Sequence, residues 1–408
     1  MTRILSAVLL LCAAIAAAAP VVVTCPEEPP VVRRLELRER WRVDPADPDA
    51  PLLSFSGDHQ IFRRDGRLFM LDHMLCRVHV YDDDGRLLDT ILQEGDGPGE
   101  IRNPGRMLPC ADGRIAVQHG YPSHLEFVDP DGTPRGRWRA QANAWLNTVQ
   151  ETPQGWFAVY SEFTTQESGK PLRVFHAAIL DDEGAVAVDL FSEEDRDVDF
   201  TRRTSDEAAE HNPWYDAVWT DGLVILPPER DAYRLEWRTP EGETVRTVTR
   251  PFRAHVRTEE ELERLKYRGY SIVNGKVHIP ETRLCPTEPM IRSVQLLPDG
   301  ALRVRTSLFN TDLPDGMACR FEVHEPTGEL RERVEILDPA GLLDWDYDGL
   351  ALLDDGGAVI LRNLFAAERN AYGGAVPAEV RALLPALADD REDMAFAPVV
   401  CDLVNAGP

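Results

Sequence analysis

Short apolar runs recur along the chain, and each is interrupted by a polar turn closing on glycine. Six segments share one form: RRDGRLFML (63–71), CADGRIAV (110–117), TPQGWFAV (152–159), WTDGLVIL (219–226), LPDGALRV (297–304) and LDDGGAVIL (353–361). An Asp-Gly turn between apolar runs predicts a hairpin, because glycine takes positive φ without steric cost. A second set falls between them: VYDDDGRLLDTI (80–91), FVDPDGTPRGRW (127–138), ILDDEGAVAVDL (179–190), WRTPEGETVRTV (237–248) and VHEPTGELRERV (323–334). Each of these reads as strand, acidic or Pro-containing turn, strand.

Together the two sets give four strands per unit. Four antiparallel strands repeating every 40–50 residues or so is the pattern of a propeller blade. Six turns of the first kind face five of the second, and a closed ring accounts for the difference. MAFAPVVCDL (394–403) would supply one strand of the last blade and LELRERWRV (35–43) its outermost partner, removing an exposed sheet edge. The expected fold is therefore all-β: a six-bladed β-propeller of four-stranded antiparallel blades, closed by the N-terminal strand. Two separate sandwiches are the alternative. Small helical insertions are expected at 258–269, with Thr258 as N-cap and acidic early positions, and at 377–390, with a proline in the first turn.

Composition narrows the setting. The 408 residues carry 70 acidic and 44 basic side chains, a net charge of −26, which disfavours phosphate backbones and anionic lipid surfaces. No nucleic-acid partner is expected. MTR followed by ILSAVLLLCAAIAAAA (4–19) reads as a signal peptide with an A-x-A cleavage site, too short for a comfortable span. The domain expectation is thus signal 1–19, linker 20–34 with the stiff PEEPP stretch (26–30), and propeller 35–408, exported to the periplasm or beyond. No transmembrane segment is expected in the mature chain. Lipid anchoring through Cys25 is the alternative, although Thr24 fits such a signal poorly.

Removal of the signal leaves Cys25, Cys76, Cys110, Cys285, Cys319 and Cys401. An exported chain with six cysteines invites disulfides. Cys76 and Cys319 each stand nine residues before the outer-turn glycine of their unit. Cys285 precedes the first strand of Cys319's blade on the same face, so Cys285–Cys319 is the preferred bridge. Cys25 and Cys401 flank the two closing strands, and a bridge there would add roughly 4–5 kcal/mol from loop entropy at most. Cys76 and Cys110 sit at opposite strand ends and are hard to pair.

The stretch RVHVYDDDGRLLDTILQEGDGPGEIRNPGRMLPCADGRIAVQHG (77–120) resembles the exported bacterial six-bladed propellers related to NHL repeats. The loop Gly95-Asp96-Gly97-Pro98-Gly99-Glu100 carries the resemblance, which extends weakly over residues 35–366, with Ile101 where that family has Phe. The resemblance implies the fold more firmly than any activity. Related propeller hydrolases and lyases hold a metal in the central channel through His, Asp, Asn or Glu; His59, near an inner-strand start, could face that channel, but a solvated or hydrogen-bonded histidine is the preferred reading and no metal site is expected.

The remaining motifs read structurally. EGDGPGE (94–100) is acidic, lacks Lys and precedes a strand, so it is a blade connection rather than a phosphate cradle. Asp82-Asp83-Asp84-Gly85 lacks the closing bidentate Glu of a calcium loop and reads as a turn. No G-x-S-x-G elbow exists. A ligand would meet a propeller at the channel mouth, near the starts of the first strands, where Arg106, Trp145, Trp214, Tyr215, Arg292, Trp345 and Tyr347 lie. The expected function is a non-enzymatic binding or scaffold module of the cell envelope, for an unknown protein, peptide or small-molecule ligand and without a cofactor. The alternative is a metal-dependent hydrolase or lyase resembling the lactonase and amidating-lyase branches, with calcium or zinc in the channel.

Overall fold

The computed structural model describes residues 19–406 apart from 48–49, 52, 55, 141–142, 197–203, 267–270, 274–275, 279–280 and 365–395. Residues 1–18 of the signal expected at 1–19, and the helix expected at 377–390, lie outside the described residues. Among those described, the chain is almost entirely β, and no helix is long and apolar enough to cross a membrane.

Four antiparallel four-stranded meanders follow in chain order. The first is Ile61–Arg64, Arg67–Asp72, Arg77–Asp82 and Leu87–Ile91; the second Arg106–Pro109, Ile115–His119, His124–Val128 and Pro134–Arg139. The third, Ala144–Thr152, Gly155–Thr165, Pro171–Leu180 and Val186–Asp195, has much longer strands. The fourth is Val218–Thr220, Leu223–Leu226, Arg234–Arg238 and Thr244–Thr249.

An eight-stranded sheet completes the series. Half of it is a fifth meander, Ile291–Leu296, Leu302–Thr306, Met317–His324 and Leu330–Leu337. The other half is Gly349–Leu352, Gly357–Arg362 and Ala397–Asn405, onto which the early strand Val32–Arg42 pairs antiparallel. That early strand also pairs in parallel with Leu330–Leu337. Repeated meanders of this kind are the sheet unit of β-propellers.

Alternation explains why the inner strands read as unbroken apolar runs. Phe69 and Leu71 enter a core shared with Ile115 and Val117, while Leu68 and Met70, on the opposite face, enter one shared with Val359 and Leu361. Each sheet is thus buried on both faces. The same rule divides Trp156, Ala158 and Tyr160 from Phe157 and Val159. Polar stitches reinforce these seams. The Gln60 amide donates to the Gly105 carbonyl, Gln118 to Leu146, and Gln150 to Trp219.

Turns and loops are divided between two ends. Connections from first to second and from third to fourth strands hold five residues or fewer, many of them Asp-Gly turns. Gly328 shows why glycine is required in them: its φ is +93°, and a Cβ would lie 2.4 Å from Val248. The other end carries every long insertion. One is the segment from Pro251 to Met290, which includes the helix Glu259–Lys266. The Thr258 hydroxyl accepts from the Glu261 N–H, and the Glu261 carboxylate accepts from the Thr258 N–H, a reciprocal cap.

The stretch expected as a linker is ordered against the sheets. Val21–Thr24 adds in parallel to Thr244–Thr249 of the fourth meander. Arg250 then donates to the carbonyls of Pro26 and Glu27 and to the Glu322 carboxylate. The six cysteines among the described residues are all free thiols, which corrects both expected bridges. Cys25 is buried between the fourth and fifth meanders, where its thiol donates to the Gly328 carbonyl. Cys401 is buried in the core between the fifth meander and the closing strands. Cys319 lies in that same core, whereas Cys285 sits in the insertion, its N–H donating to Glu207. Burial pushes the Cys319 and Cys401 thiols up to about 12, so they behave as small apolar side chains.

Candidate functional site

Four exposed aromatics occur among the described residues: Tyr121, Trp145, Phe163 and Tyr215. All four stand at the loop end, on the second, third and fourth meanders. The overlong third sheet explains Trp145 and Phe163, because its strands continue past the core and carry side chains that no neighbouring sheet covers; Tyr121 and Tyr215 join them from the adjoining loops of the second and fourth meanders.

A connected surface results. Tyr121 and Trp145 are 6.0 Å apart between ring centroids. Trp145 pairs across the sheet with Ser161. The Asn147 amide donates to the Ser161 hydroxyl at 3.2 Å and to the Trp145 carbonyl at 3.4 Å. Ser161 in turn bonds the Tyr215 hydroxyl, whose pKa burial still raises. Thr148 donates to the Tyr215 carbonyl at 3.1 Å. Tyr215 meets Phe175 edge-on at 6.0 Å, and the Arg173 guanidinium lies 4.4 Å over the Phe175 ring. Arg173 is itself paired with Asp195 at 2.6 Å.

Next to Tyr215 stands Asp216, at the end of a short 3₁₀ turn, Pro213–Asp216. Desolvation pushes its carboxyl up to about 7, against the opposing charge of Arg106 from the start of the second meander. Asp216 is half-buried, a crowded acid that water still reaches. The sequence reading did not single it out.

The other expected mouth residues divide by packing. Trp214 is buried and stacks on Phe191 at 5.0 Å. The Trp345 indole N–H donates to the Ala318 carbonyl at 2.7 Å, and its ring meets Phe309 edge-on. Arg292 is exposed and donates to the Asn310 side chain at 2.7 Å. Tyr347 is half-buried in the loop before Gly349–Leu352. His59 is exposed in the turn Asp58–Gln60. Among the described residues no three His, Cys, Asp or Glu side chains come together as a metal-binding group.

The long insertion is clamped down at the same end of the strands. Glu207 accepts from Arg257, Arg230 and the Cys285 N–H, and Arg257 also reaches Glu288 at 2.9 Å. Burial alone would raise the Glu207 pKa, but these donors hold it down at about 2. His255 sits between Asp312 at 2.7 Å and Glu261 at 3.0 Å, and these carboxylates outweigh burial to raise its pKa.

No protein-family profile matches the sequence, and no characterised protein matches it. The structure is similar to a Bacteroides fragilis protein assigned as exported, with 13% identity and a TM-score of 0.45 over 94% of this chain and 99% of that one. A Bacteroides vulgatus member of the DUF4221 family gives 10% identity and a TM-score of 0.40 over 91% and 99%. Virginiamycin B lyase from Staphylococcus aureus gives 9% and 0.35 over 81% and 97%. Likenesses this distant bear on no function.

Proposed function

We propose that the chain is an exported six-bladed propeller that acts as a non-enzymatic binding module of the cell envelope, with its loop end as the recognition face. The ring is supported by six apolar clusters, five shared by neighbouring sheets and one by the two halves of the eight-stranded sheet, including one that joins Ile61 and Leu68 to Ala351 and Val359. The recognition face rests on one observation: the four exposed aromatics gather at that end, beside Arg106 and Asp216. Aromatic and arginine side chains supply contact area at low entropic cost, which makes them the usual anchors of binding surfaces. The mature chain is read as unanchored, because the Cys25 thiol is buried and the strand Val21–Thr24 before it belongs to a sheet.

Hydroxyl-radical labelling tests this, with and without the soluble fraction of the cell envelope. Reduced oxidation at Tyr121, Trp145, Phe163 and Tyr215 is expected. Protection confined to the Asp-Gly turns would overturn the placement. Stoichiometric calcium or zinc surviving dialysis would overturn the non-enzymatic reading in favour of a metal-dependent hydrolase or lyase.

A further inference from the structure

We propose that the aromatic ledge from Tyr121 to Tyr215 binds a neutral oligosaccharide. This deepens the loop-end reading and rests on it.

Each part of the ledge offers a ligand something different. Trp145 and Tyr121 are about half exposed, 48% and 52%, so their rings are open to a ligand rather than packed away. Their planes are inclined by 36°, a shallow angle that lets one chain lie across both. A sugar ring presents an apolar C–H face to such a surface and a rim of hydroxyls around it. The rim needs donors and acceptors already held in place beside the aromatics. Asn147 and the Tyr215 hydroxyl are such groups, both held by the buried Ser161, which receives the Asn147 amide and bonds the Tyr215 hydroxyl. Because Ser161 positions the Asn147 side chain and the Tyr215 hydroxyl before any ligand arrives, little entropy is lost in ordering them.

Charge decides between occupants. On a chain of net charge −26 this ledge is nearly balanced, since Arg173 is tied to Asp195 and covers the Phe175 ring. A polycation would be drawn to the Asp-rich turns at the far end. A polyanion would be repelled by the whole molecule. A proline-rich peptide also docks on aromatic ridges, but it offers its hydrogen-bonding carbonyls to donors such as an indole N–H. It would leave the interlinked Asn147–Ser161–Tyr215 groups largely unused. A neutral ligand rich in hydroxyls uses both the rings and the polar groups.

The test is a fluorescence titration of the full mature chain with maltohexaose, cellohexaose, mannohexaose and chitohexaose, alongside decaproline and pentalysine. At least one hexasaccharide is expected to change the tryptophan emission saturably. Trp145→Ala should raise its Kd at least tenfold, and Tyr121→Ala should raise it by a smaller factor. Val186→Ala, exposed at the opposite end of the third sheet, should leave it unchanged. All three side chains are exposed, and circular dichroism checks that each variant folds. Saturation by none of the four sugars, binding indifferent to Trp145→Ala, or saturation by decaproline or pentalysine instead would overturn the proposal. The radical-labelling experiment separates the two readings. Protection of Trp145 and Tyr215 by the envelope fraction, without any response to sugars, removes the ligand class and leaves the loop end as the binding face.

Discussion

The two ends of the molecule use the same strands for different purposes. At the turn end, short connections place glycines where a side chain would strike a neighbouring sheet, as Gly85 does against Trp41 and Gly328 against Val248. At the loop end, the third sheet overshoots its core, the insertions spread, and aromatic rings stay exposed. The turn end therefore tolerates little substitution and offers little to a ligand. The loop end is the reverse. The comparison teaches that stability and recognition are separable here, and variants should divide accordingly.

The largest expected effect lies at neither tip but in the buried network between them. Arg250→Ala removes the direct ion-pair partner of the buried Glu322, leaving it Arg333 at 3.9 Å beside Tyr233 and His324, and it frees the Pro26–Glu27 segment. A loss of about 3–5 kcal/mol is expected in denaturant unfolding. At the turn end, Gly328→Val combines a strained φ with a clash against Val248, and about 2–4 kcal/mol should be lost. If either variant unfolded like the parent chain, the division of labour would fail at its structural half.

Acid should come next. Burial lowers the pKa of His73, His79, His119, His124, His211 and His324, and His119 falls to about 3 with help from His124 and Arg137. The folded chain keeps these rings neutral, whereas the unfolded chain protonates them near 6.5. Their contribution is therefore complete above about pH 6.5 and is lost as pH falls towards the folded values. His255 has the opposite sign, stabilising at low pH through Asp312 and Glu261. Asp216, Asp348 and Asp354, whose carboxyls burial raises, pull the same way as His255, but the six histidines outnumber these four, so Tm should drop between pH 7 and 4.5. A flat Tm across that range would contradict the burial described for these histidines.

At the loop end the effects on stability shrink. Asp216→Asn should raise Tm at pH 8, where the crowded carboxylate is costly, and change little at pH 4, where the raised pKa already leaves it neutral. Trp145→Ala should alter unfolding by less than about 0.5 kcal/mol, because the side chain is exposed. A large stability loss from Trp145→Ala would erase the contrast between the ends.

Much of the sheet plan was legible because hairpin turns announce themselves. Asp65-Gly66, Asp112-Gly113 and Asp299-Gly300 each stand between apolar runs, and each run forms a strand. The strand Val21–Thr24 was not legible: three valines after an alanine-rich run and before PEEPP read as a linker until a sheet edge is there to receive them. The aromatics show a similar limit. Trp145 and Trp214 look alike in sequence, yet one is exposed and the other stacks on Phe191, because only the third sheet's length uncovers its end. Phe163, Phe175, Ser161 and Asn147 join the ledge through that same overshoot, for which an apolar pattern carries no signal. The cysteines misled through position. Cys25 and Cys401 flank the closing strands in sequence but occupy different cores in space.

The contrast between the two ends depends on one closed ring, and hydrogen exchange of the native protein tests that most directly. Val32–Arg42 is hydrogen-bonded on both edges, to Leu330–Leu337 and to Ala397–Asn405. The account predicts that amides of Leu35–Arg42 and Val399–Leu403 exchange together and as slowly as those of the inner strand Ile115–His119. Rapid exchange of either closing strand while Ile115–His119 stays protected would mean that the ring is open, and the contrast between a turn end and a loop end would lose its basis.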